Sequence, residues 1–299
     1  MRVFVTGATG FVGSAIVPAL IGAGHRVFGL ARSDAAAAQL TAAGAEVHRG
    51  NVDDLDSLRR GAAAADGVIH TAFIHDFANF QAVCETDRRA IEALGAALAG
   101  SRRPLIITSG TALLAPGQLA TEDLGHASGP DAFPRVASEQ AAQAAAARGV
   151  RVAVMRLPPS VHGDGDHGFV PLLIDLARKH RVSAYVGDGA NRWPAVHRLD
   201  AAQLYRLVLE HDFAPGAAFH AIAEQGVAFR DIAEVIGRRL GAPLYSQSPA
   251  EAAAHFGWFA RFAALDAPAS SQRTRELLGW RPAHPGLLTD IDRPAYFPT

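Results

Sequence analysis

The sequence predicts an α/β fold, with a doubly wound parallel sheet and a smaller, irregular C-terminal lobe. Residues 1–156 alternate short apolar strands with amphipathic or alanine-rich helices, which is the pattern of right-handed βαβ units in a parallel sheet. A glycine-rich turn follows the first strand, where such units carry their tightest turn. After Arg156 a Pro- and Gly-rich loop at 157–168 breaks the alternation, so we expect one domain over 1–156 and a lobe over 157–299.

Each predicted strand is short and apolar, and each predicted helix is amphipathic or rich in alanine. The predicted strands of the first domain cover 2–6, 26–31, 45–49, 66–71, 104–108 and 151–156. The predicted helices between them cover 11–22, 34–43, 54–63, 78–99 and 135–148. In the lobe we expect helices at 169–180, 200–211, 228–240, 249–264 and 271–278, and strands at 192–197 and 217–222. Some of these lobe segments are expected to return to the sheet of the first domain.

Composition and charge exclude several classes of protein. Of the 299 residues, 49% are hydrophobic, so the chain can form a large core. The formal net charge of −1 argues against nucleic acid or an anionic membrane as the main partner. No apolar run approaches the roughly 18 residues that identify a membrane-spanning helix. Cys84 is the single cysteine and the chain does not open on a signal-peptide pattern, so we expect a reducing, cytoplasmic location.

The glycine-rich turn has the spacing of a Rossmann-type dinucleotide site. Glycines at 7, 10 and 13 lead from a buried strand into an apolar helix. In this pattern the first glycine permits the turn, the second lets a pyrophosphate approach the backbone, and the third lets the helix pack closely on the strand. Free N–H groups and the helix dipole favour the negative charge. The residues expected to contact the cofactor here are Gly7, Thr9, Gly10, Phe11, Val12 and Gly13.

The residues after the second and third strands favour NADP, with NAD as the alternative. Arg32 stands where an acidic residue would bind the ribose 2′-hydroxyl of NAD, and a guanidinium there suits the 2′-phosphate of NADP. The other interpretation of Arg32 is a solvated surface arginine. Asn51 and Val52 are expected to hold the adenine through a side chain and a backbone group, although this stretch can also cap the helix near Asp54.

Small residues after the fourth strand suit the opposite end of the cofactor. Thr71, Ala72 and Phe73 would let the backbone approach the nicotinamide ribose. Phe73, Phe77, Phe169 and Trp193 are candidates for the wall of an apolar or aromatic substrate pocket, and core packing explains each of them nearly as well.

These features resemble the extended branch of the short-chain dehydrogenase/reductase superfamily, to which epimerase- and dehydratase-like proteins belong. The resemblance implies that Ser109 polarises a substrate carbonyl, and that Pro158 and Ser160 belong to the loop that holds the nicotinamide. The matching motifs cover nearly the whole chain and lie at 6–13, 51–52, 108–111, 151–163 and 192–200.

The family's proton donor, a tyrosine followed four residues later by a lysine, is absent. None of the four tyrosines has a lysine at that spacing, and the one lysine is Lys179. The family often has a glutamate four residues after the lysine, so Glu139 aligns Arg135 with the lysine and Asp131 with the tyrosine. The chain thus resembles an atypical subgroup with a basic pair at these places, Asp131 replacing its histidine. Arg135 stays protonated, so it suits ribose binding and oxyanion stabilisation better than proton donation.

Several groups are candidates for the proton transfer. Asp131 would hold a proton near neutral pH only if it were buried, and a helix cap is the alternative. His75 and His162 are the best-placed histidines and His167 is a third, although each is also typical of a polar loop. The run from His162 to His167 has ligand-type residues, but they lie in one Gly/Asp turn and no metal is expected.

Together these features predict an NADP(H)-dependent oxidoreductase that transfers hydride between a nicotinamide and a small-molecule carbonyl or alcohol. An epimerase or dehydratase acting on a nucleotide sugar is an alternative, although oxidation of a sugar hydroxyl needs a base that the missing tyrosine would supply. A non-catalytic NADP-binding sensor is the third possibility. The expected partner is a small molecule, and the resemblance implies a possible homodimer.

Overall fold

The computed structural model describes residues 1–114, 116–126 and 133–298. Its strands, numbered in chain order, are β1 (Arg2–Thr6), β2 (Arg26–Ala31), β3 (Glu46–Arg49), β4 (Gly67–His70), β5 (Leu105–Gly110), β6 (Val152–Leu157), β7 (Ser160–His162), β8 (Ser183–Val186), β9 (Arg192–His197), β10 (Ala217–His220), β11 (Glu224–Ala228) and β12 (Leu244–Gln247). Among the described residues, seven strands form the central sheet in the order β3-β2-β1-β4-β5-β6-β10, and every pair is parallel. The predicted α/β, doubly wound fold is therefore confirmed.

Helices cover both faces of the central sheet, as parallel strands buried on two sides require. The helices are α1 (Gly13–Gly22), α2 (Asp34–Ala42), α3 (Leu55–Ala63), α4 (Phe80–Leu98), α5 (Val136–Ala147), α6 (Phe169–His180), α7 (Arg198–Glu210), α8 (Phe229–Leu240), α9 (Pro249–Phe256), α10 (Ala260–Ala263), α11 (Gln272–Leu278) and α12 (Leu287–Ile291). Apolar residues of α1, α2 and α7 pack in one core on the sheet, and those of α3, α4 and α5 pack in another. All the parallel strands end at the same edge, where ligands of open α/β sheets bind.

The C-terminal lobe has a core of its own beside that edge. Trp193, Phe229 and Phe259 are fully buried in it, packed among residues of α6, α8 and α9. A small sheet of β11, β9 and β7 and a parallel pair, β12 and β8, complete the lobe. Two later segments return to the first domain: β10 pairs with β6, and α7 packs on α1. The chain thus crosses between its two parts more than once, which brings lobe residues to the carboxyl edge of the sheet.

Several elements of the lobe differ from their prediction. The predicted loop at 157–168 contains strand β7, and the helix expected over 249–264 is broken into α9, a 3₁₀ turn at Gly257–Phe259 and α10. Strands β8, β11 and β12 are not predicted at all, because they are too short and too polar for a strand pattern to stand out. No helix in the described part of the chain combines the length and the apolar character needed to cross a bilayer.

Candidate active site

The glycine-rich turn forms a cradle in which two of the three glycines, Gly7 and Gly13, leave no room for a side chain. Gly7 has a φ of +66°, and a Cβ there would lie 2.6 Å from the backbone nitrogen of Ala72. A Cβ at Gly13 would lie 2.0 Å from the carbonyl oxygen of Gly7, so the start of α1 touches the turn directly. At Gly10, by contrast, the nearest atom to a Cβ is the Gly7 oxygen at 3.2 Å, so this residue is bare and solvent-exposed. The space above Gly10 is therefore free for a ligand.

The start of helix α1 offers unpaired donors at this cradle. Its N-cap, Val12, makes no side-chain hydrogen bond, and the first turn carries no acidic side chain. Thr9, Phe11 and Val12 are partly exposed around it. An exposed helix N-terminus without a capping carboxylate favours an anion, so the described residues fit the pyrophosphate of a dinucleotide.

The residues that the sequence predicts for the adenosine follow β2 and β3, where Arg32 and Asn51 are exposed and Val52 is buried. Arg32 is exposed at the end of β2 and makes no hydrogen bond or ion pair with other described residues. The neighbouring Ser33 caps α2 by accepting a hydrogen bond from Ala36 N at 3.2 Å. Asn51 accepts one from the backbone N–H of Val52 at 2.7 Å, while Asp54 caps α3. Arg32 is thus available for a phosphate, and capping in this region does not use Asn51.

The strand end expected to face the nicotinamide ribose is joined to the cradle. The Thr71 hydroxyl donates to the carbonyl oxygen of Thr6 at 2.8 Å, and Ala72 N donates to the Thr6 hydroxyl at 3.3 Å. Phe73 follows, and its ring lies beneath the guanidinium of Arg135, 4.0 Å from ring centroid to Cζ. On the other side of the edge, Pro158 and Ser160 are both buried.

A buried polar chain holds Arg135 at the carboxyl edge of the sheet. The Thr6 hydroxyl lies 2.7 Å from His70 Nδ1, and His70 Nε2 lies 3.0 Å from Asp87 Oδ1. The other oxygen of Asp87 pairs directly with Arg135 and accepts a hydrogen bond from the Ser138 hydroxyl at 2.6 Å. Burial by itself would raise the pKa of Asp87, but the Arg135 guanidinium and the hydrogen bonds hold that pKa well below its usual range. Asp87 therefore stays ionised, and its carboxylate holds the guanidinium of Arg135 in place.

Arg135 has a second anchor on strand β5. Its Nη2 donates to the carbonyl oxygen of Thr108 at 2.9 Å, and the Thr108 hydroxyl in turn donates to the carbonyl oxygen of His70 at 2.8 Å. The side chain of Arg135 is still 13% exposed. Held in this way, Arg135 can stabilise negative charge on a ligand oxygen without reorganising.

Ser109 belongs to a different cluster from Arg135. Its hydroxyl is buried and donates to Glu139 Oε1 at 2.6 Å, and both oxygens of Glu139 accept hydrogen bonds from Arg156, at 3.0 and 2.8 Å. The carbonyl-polarising role that the family resemblance implies for Ser109 stays a prediction. The hydroxyl proton of Ser109 is already donated to Glu139. Two residues further along, Thr111 has a buried hydroxyl with no hydrogen-bond partner among the described residues. Thr111 is therefore a second candidate for the carbonyl oxygen.

The predicted proton donors are placed very differently from one another. His75 lies in the loop after β4, its ring 5.3 Å from that of Phe73, and partial burial lowers its pKa, with Arg135 adding to the effect. His162 is fully buried with Nδ1 2.8 Å from Asp290, and burial lowers its pKa too. His167 is exposed against the ring of Phe11. Of the three, His75 is the one in contact with the Arg135 cluster.

Asp131 lies outside the described residues, so its predicted role stays a prediction. Within the described part of the chain, no group of three or more His, Cys, Asp or Glu side chains could hold a metal ion. Two of the four tyrosines, Tyr205 and Tyr296, are poorly suited to replace the missing donor. Tyr205 is buried on the opposite face of the sheet, 2.6 Å from the Thr108 hydroxyl, and burial raises its pKa. Burial likewise raises the pKa of Tyr296, which hydrogen-bonds to the backbone of Gly163.

Sequence reasoning missed Asp87, His70 and Thr6, which hold the site together. The signal for Asp87 is a carboxylate on the apolar face of α4, between Cys84 and Ile91, which is a place where charge is costly unless it is paired. No comparable signal marks Thr6, because a threonine is ordinary at the end of a strand.

Comparison with known proteins agrees with this architecture. The model of the NAD dependent epimerase/dehydratase family matches residues 3–220. The chain belongs to this family, and its fold is that of the extended short-chain dehydrogenase/reductase proteins. The structure is similar to the solved structure of dTDP-glucose 4,6-dehydratase (DesIV) from Streptomyces venezuelae with NAD bound. The TM-score between the two is 0.78 at 21% identity, and the match covers 99% of this chain and 96% of that one.

Relatives in sequence include proteins of yeast and bacteria. An uncharacterized protein of Schizosaccharomyces pombe is 51% identical, covering 99% of this chain and 100% of the relative. The 2-alkyl-3-oxoalkanoate reductase of Stenotrophomonas maltophilia is 28% identical, covering 73% and 68%. A 4-hydroxy-2-methyl-3-oxo-4-farnesyl-3,4-dihydroquinoline-1-oxide ketoreductase of Stigmatella aurantiaca is 30% identical, covering 60% and 56%.

Proposed function

We propose that this protein is an NADP(H)-dependent reductase of small-molecule carbonyl compounds. The observation that carries the proposal is the placement of Arg135, which Asp87 and the Thr108 carbonyl hold as a fixed cation at the sheet edge. Reduction converts a carbonyl oxygen into an alkoxide-like oxygen, and a fixed cation stabilises the charge that develops there. The bound dinucleotide would supply the hydride, and a proton from the site or from solvent would complete the alcohol.

The same arrangement disfavours chemistry that begins by oxidising an alcohol. That reaction needs a base for the hydroxyl proton, and a protonated arginine cannot act as one. Tyr205 and Tyr296 are buried with raised pKa values and are bound to other groups. The epimerase or dehydratase alternative, to which the family match corresponds, would therefore need a base other than the family's tyrosine.

NADP is preferred over NAD in this proposal because of Arg32. The side chain is exposed at the end of β2, free of protein partners among the described residues, where the 2′-phosphate of the adenosine ribose would lie. A guanidinium binds phosphate through paired, charge-assisted hydrogen bonds, whereas it offers little to a ribose hydroxyl.

The substrate is expected to carry an apolar chain or ring. A cluster of aromatic side chains joins the loop after β4 to the lobe beside Arg135. Trp258 stacks on Phe77 with centroids 4.4 Å apart, although Trp258 is 52% exposed, and Phe133 packs edge-on to Phe262 at 5.8 Å. An exposed aromatic surface next to a fixed cation fits a carbonyl group with an apolar substituent. The two reductase relatives are named for substrates with alkyl or farnesyl groups, which supports this substrate class.

Steady-state consumption of NADPH tests the proposal. We expect turnover with 3-oxo acids or aryl ketones that carry apolar groups, and faster turnover with NADPH than with NADH. Trp258→Ala should raise KM for long-chain substrates and leave KM for short-chain ones nearly unchanged, and Trp280→Phe, in the separate core that contains α1 and α7, is the control. Turnover of a nucleotide sugar with no net change in NADPH would favour the epimerase or dehydratase instead. Binding of NADPH without turnover of any carbonyl in the panel would favour a sensor.

A further inference from the structure

The Gly-Asp-Gly turn at 163–165 is built around the side chain of Arg198. Gly163 and Gly165 both have positive φ values, +137° and +81°. A Cβ at Gly163 would lie 2.9 Å from Cγ of Arg198, so a larger residue would collide with the arginine stem. The carbonyl oxygen of Asp164 accepts a hydrogen bond from Arg198 Nη1 at 2.7 Å. This turn has metal-type residues in the sequence, but in the structure its backbone holds an arginine.

The held guanidinium faces the glycine-rich cradle. Arg198 is the first residue of α7, and α7 packs along α1, so the starts of the two helices lie side by side. Its Cζ lies 5.0 Å from the ring centroid of Phe11, within the cradle, and its Nη2 lies 3.4 Å from the hydroxyl of Ser14 on the first turn of α1. The cation therefore lies at the place where the helix start offers its free N–H groups.

The charge of Arg198 is not neutralised by a carboxylate within the described chain. The nearest candidate, the Asp164 side chain, pairs instead with Arg293 at 2.8 Å. Arg198 contacts a carbonyl oxygen, a hydroxyl and an aromatic face, which leave several of its N–H donors free. The cradle itself, residues 7–13, contributes no positive side chain. A doubly charged anion at the cradle would thus be neutralised by Arg198 and not by a side chain of the cradle itself.

We propose that Arg198 is a ligand of the cofactor pyrophosphate, supplied from the segment that follows the lobe strand β9. This inference rests on the proposed dinucleotide binding and adds a residue that the cofactor motif does not contain. In the complex, Arg198 would then contact the pyrophosphate and the carbonyl oxygen of Asp164 in the 163–165 turn at the same time. The pyrophosphate is common to NAD and NADP, so Arg198 contributes to the binding of both, whereas Arg32 contributes to NADP alone.

Titration calorimetry of the full chain with NAD and NADP tests this assignment. Arg198→Gln should weaken both dinucleotides by the same factor, roughly tenfold or more, as expected for a lost charge-assisted contact. Arg198→Lys should cause a smaller loss for both, because a point charge replaces a planar fork. Arg206→Gln, which removes an arginine of the same helix that pairs with Glu210, should leave both affinities unchanged. Adenosine 2′-monophosphate has no pyrophosphate, so Arg198→Gln should not alter its competition, whereas Arg32→Gln should weaken it.

Each outcome decides the assignment. Unchanged affinity of Arg198→Gln for both dinucleotides would overturn it. A loss that extends to adenosine 2′-monophosphate would also overturn it, since it would indicate a merely structural role. If Arg198→Gln does not fold, Arg198→Lys decides, and wild-type affinity in that variant counts against the proposal. If the wild-type protein binds neither dinucleotide, the proposed function fails first, and that result is distinct from a failure of Arg198 alone.

Discussion

The carboxylate of Asp87 and the guanidinium of Arg135 form an ion pair in which Asp87 is 3% exposed and Arg135 is 13% exposed. One partner belongs to α4 and the other to the residue before α5, so the pair joins two helices at the carboxyl edge of the sheet. His70 contacts the same carboxylate from the end of β4. The fixed cation of the proposed site therefore depends on a buried anion.

Removing the charge of Asp87 should lower the free energy of unfolding. Asp87→Asn leaves a largely buried guanidinium without its counter-charge, and breaking such pairs costs about 3–5 kcal/mol. Urea denaturation of variant and wild type measures the difference. Glu92→Gln, which removes a partly exposed carboxylate paired with Arg88 on the same helix, is the matched control and should change the free energy of unfolding by less than about 0.5 kcal/mol. Equal stability of Asp87→Asn and wild type would show that the pair is unimportant.

The glycines of the cradle should separate binding from folding. Gly10→Ala places a methyl group where only one atom lies near, so we expect a normal melting temperature and a large loss of dinucleotide affinity. Gly13→Ala forces a Cβ to within 2.0 Å of the Gly7 oxygen, so we expect a loss of stability as well. Thermal melts and fluorescence titrations with NADPH distinguish the two effects. A Gly10→Ala variant that binds as well as wild type would contradict the cradle.

The hydroxyls of Ser109 and Thr111 are alternative candidates for the hydrogen bond to the carbonyl oxygen of the substrate. If Ser109 polarises it, Ser109→Ala should lower kcat by roughly 10²-fold or more, as the loss of an oxyanion donor does. If the unpartnered hydroxyl of Thr111 has that role, Thr111→Val should give this loss instead. The KM and kcat of both variants with one carbonyl substrate answer the question. Because Ser109 is bound to Glu139, we expect Ser109→Ala to affect stability more than kcat.

Stability should fall with rising pH because of Asp166. Burial raises the pKa of Asp166 from 3.8 to about 6. Between about pH 4 and pH 6 the unfolded chain therefore binds fewer protons than the folded chain, and the free energy of unfolding falls as pH rises. Asp166→Asn removes this penalty, so relative to wild type it should gain on the order of 2 kcal/mol between about pH 4 and pH 7. Denaturation at a series of pH values checks this, with the exposed Asp175→Asn as control; a pH-independent difference would refute it.

Much of the fold could be predicted because the first domain repeats a strong local pattern. The strands at 2–6 and 26–31 and the helix at 169–180 are found as predicted, since their apolar periodicity and flanking glycines coincide with their tertiary roles. Strand β8 and strand β12 form a pair of their own, away from the central sheet. Their pairing depends on long-range contacts, which four-residue segments do not reveal.

Less of the candidate site than of the fold could be predicted from the sequence, because part of the site also depends on long-range contacts. The cradle could be predicted because backbone geometry demands glycine at fixed places. Asp87 and Arg198 act through partners that are 48 and 34 residues away in the chain, and no local spacing reports such pairs. Ser109 shows the opposite case, in which a motif position is recognisable but the hydroxyl is turned to a buried glutamate.

We propose above that the bare turn at Gly10 and the exposed Arg32 after β2 together bind a phosphorylated nicotinamide dinucleotide. Calorimetric titration of the wild-type protein with NADP and with NAD is the most direct test of this proposal. We expect saturable binding of both, with NADP bound more tightly than NAD and with that difference abolished by Arg32→Asp. Absence of measurable binding of either dinucleotide would contradict it.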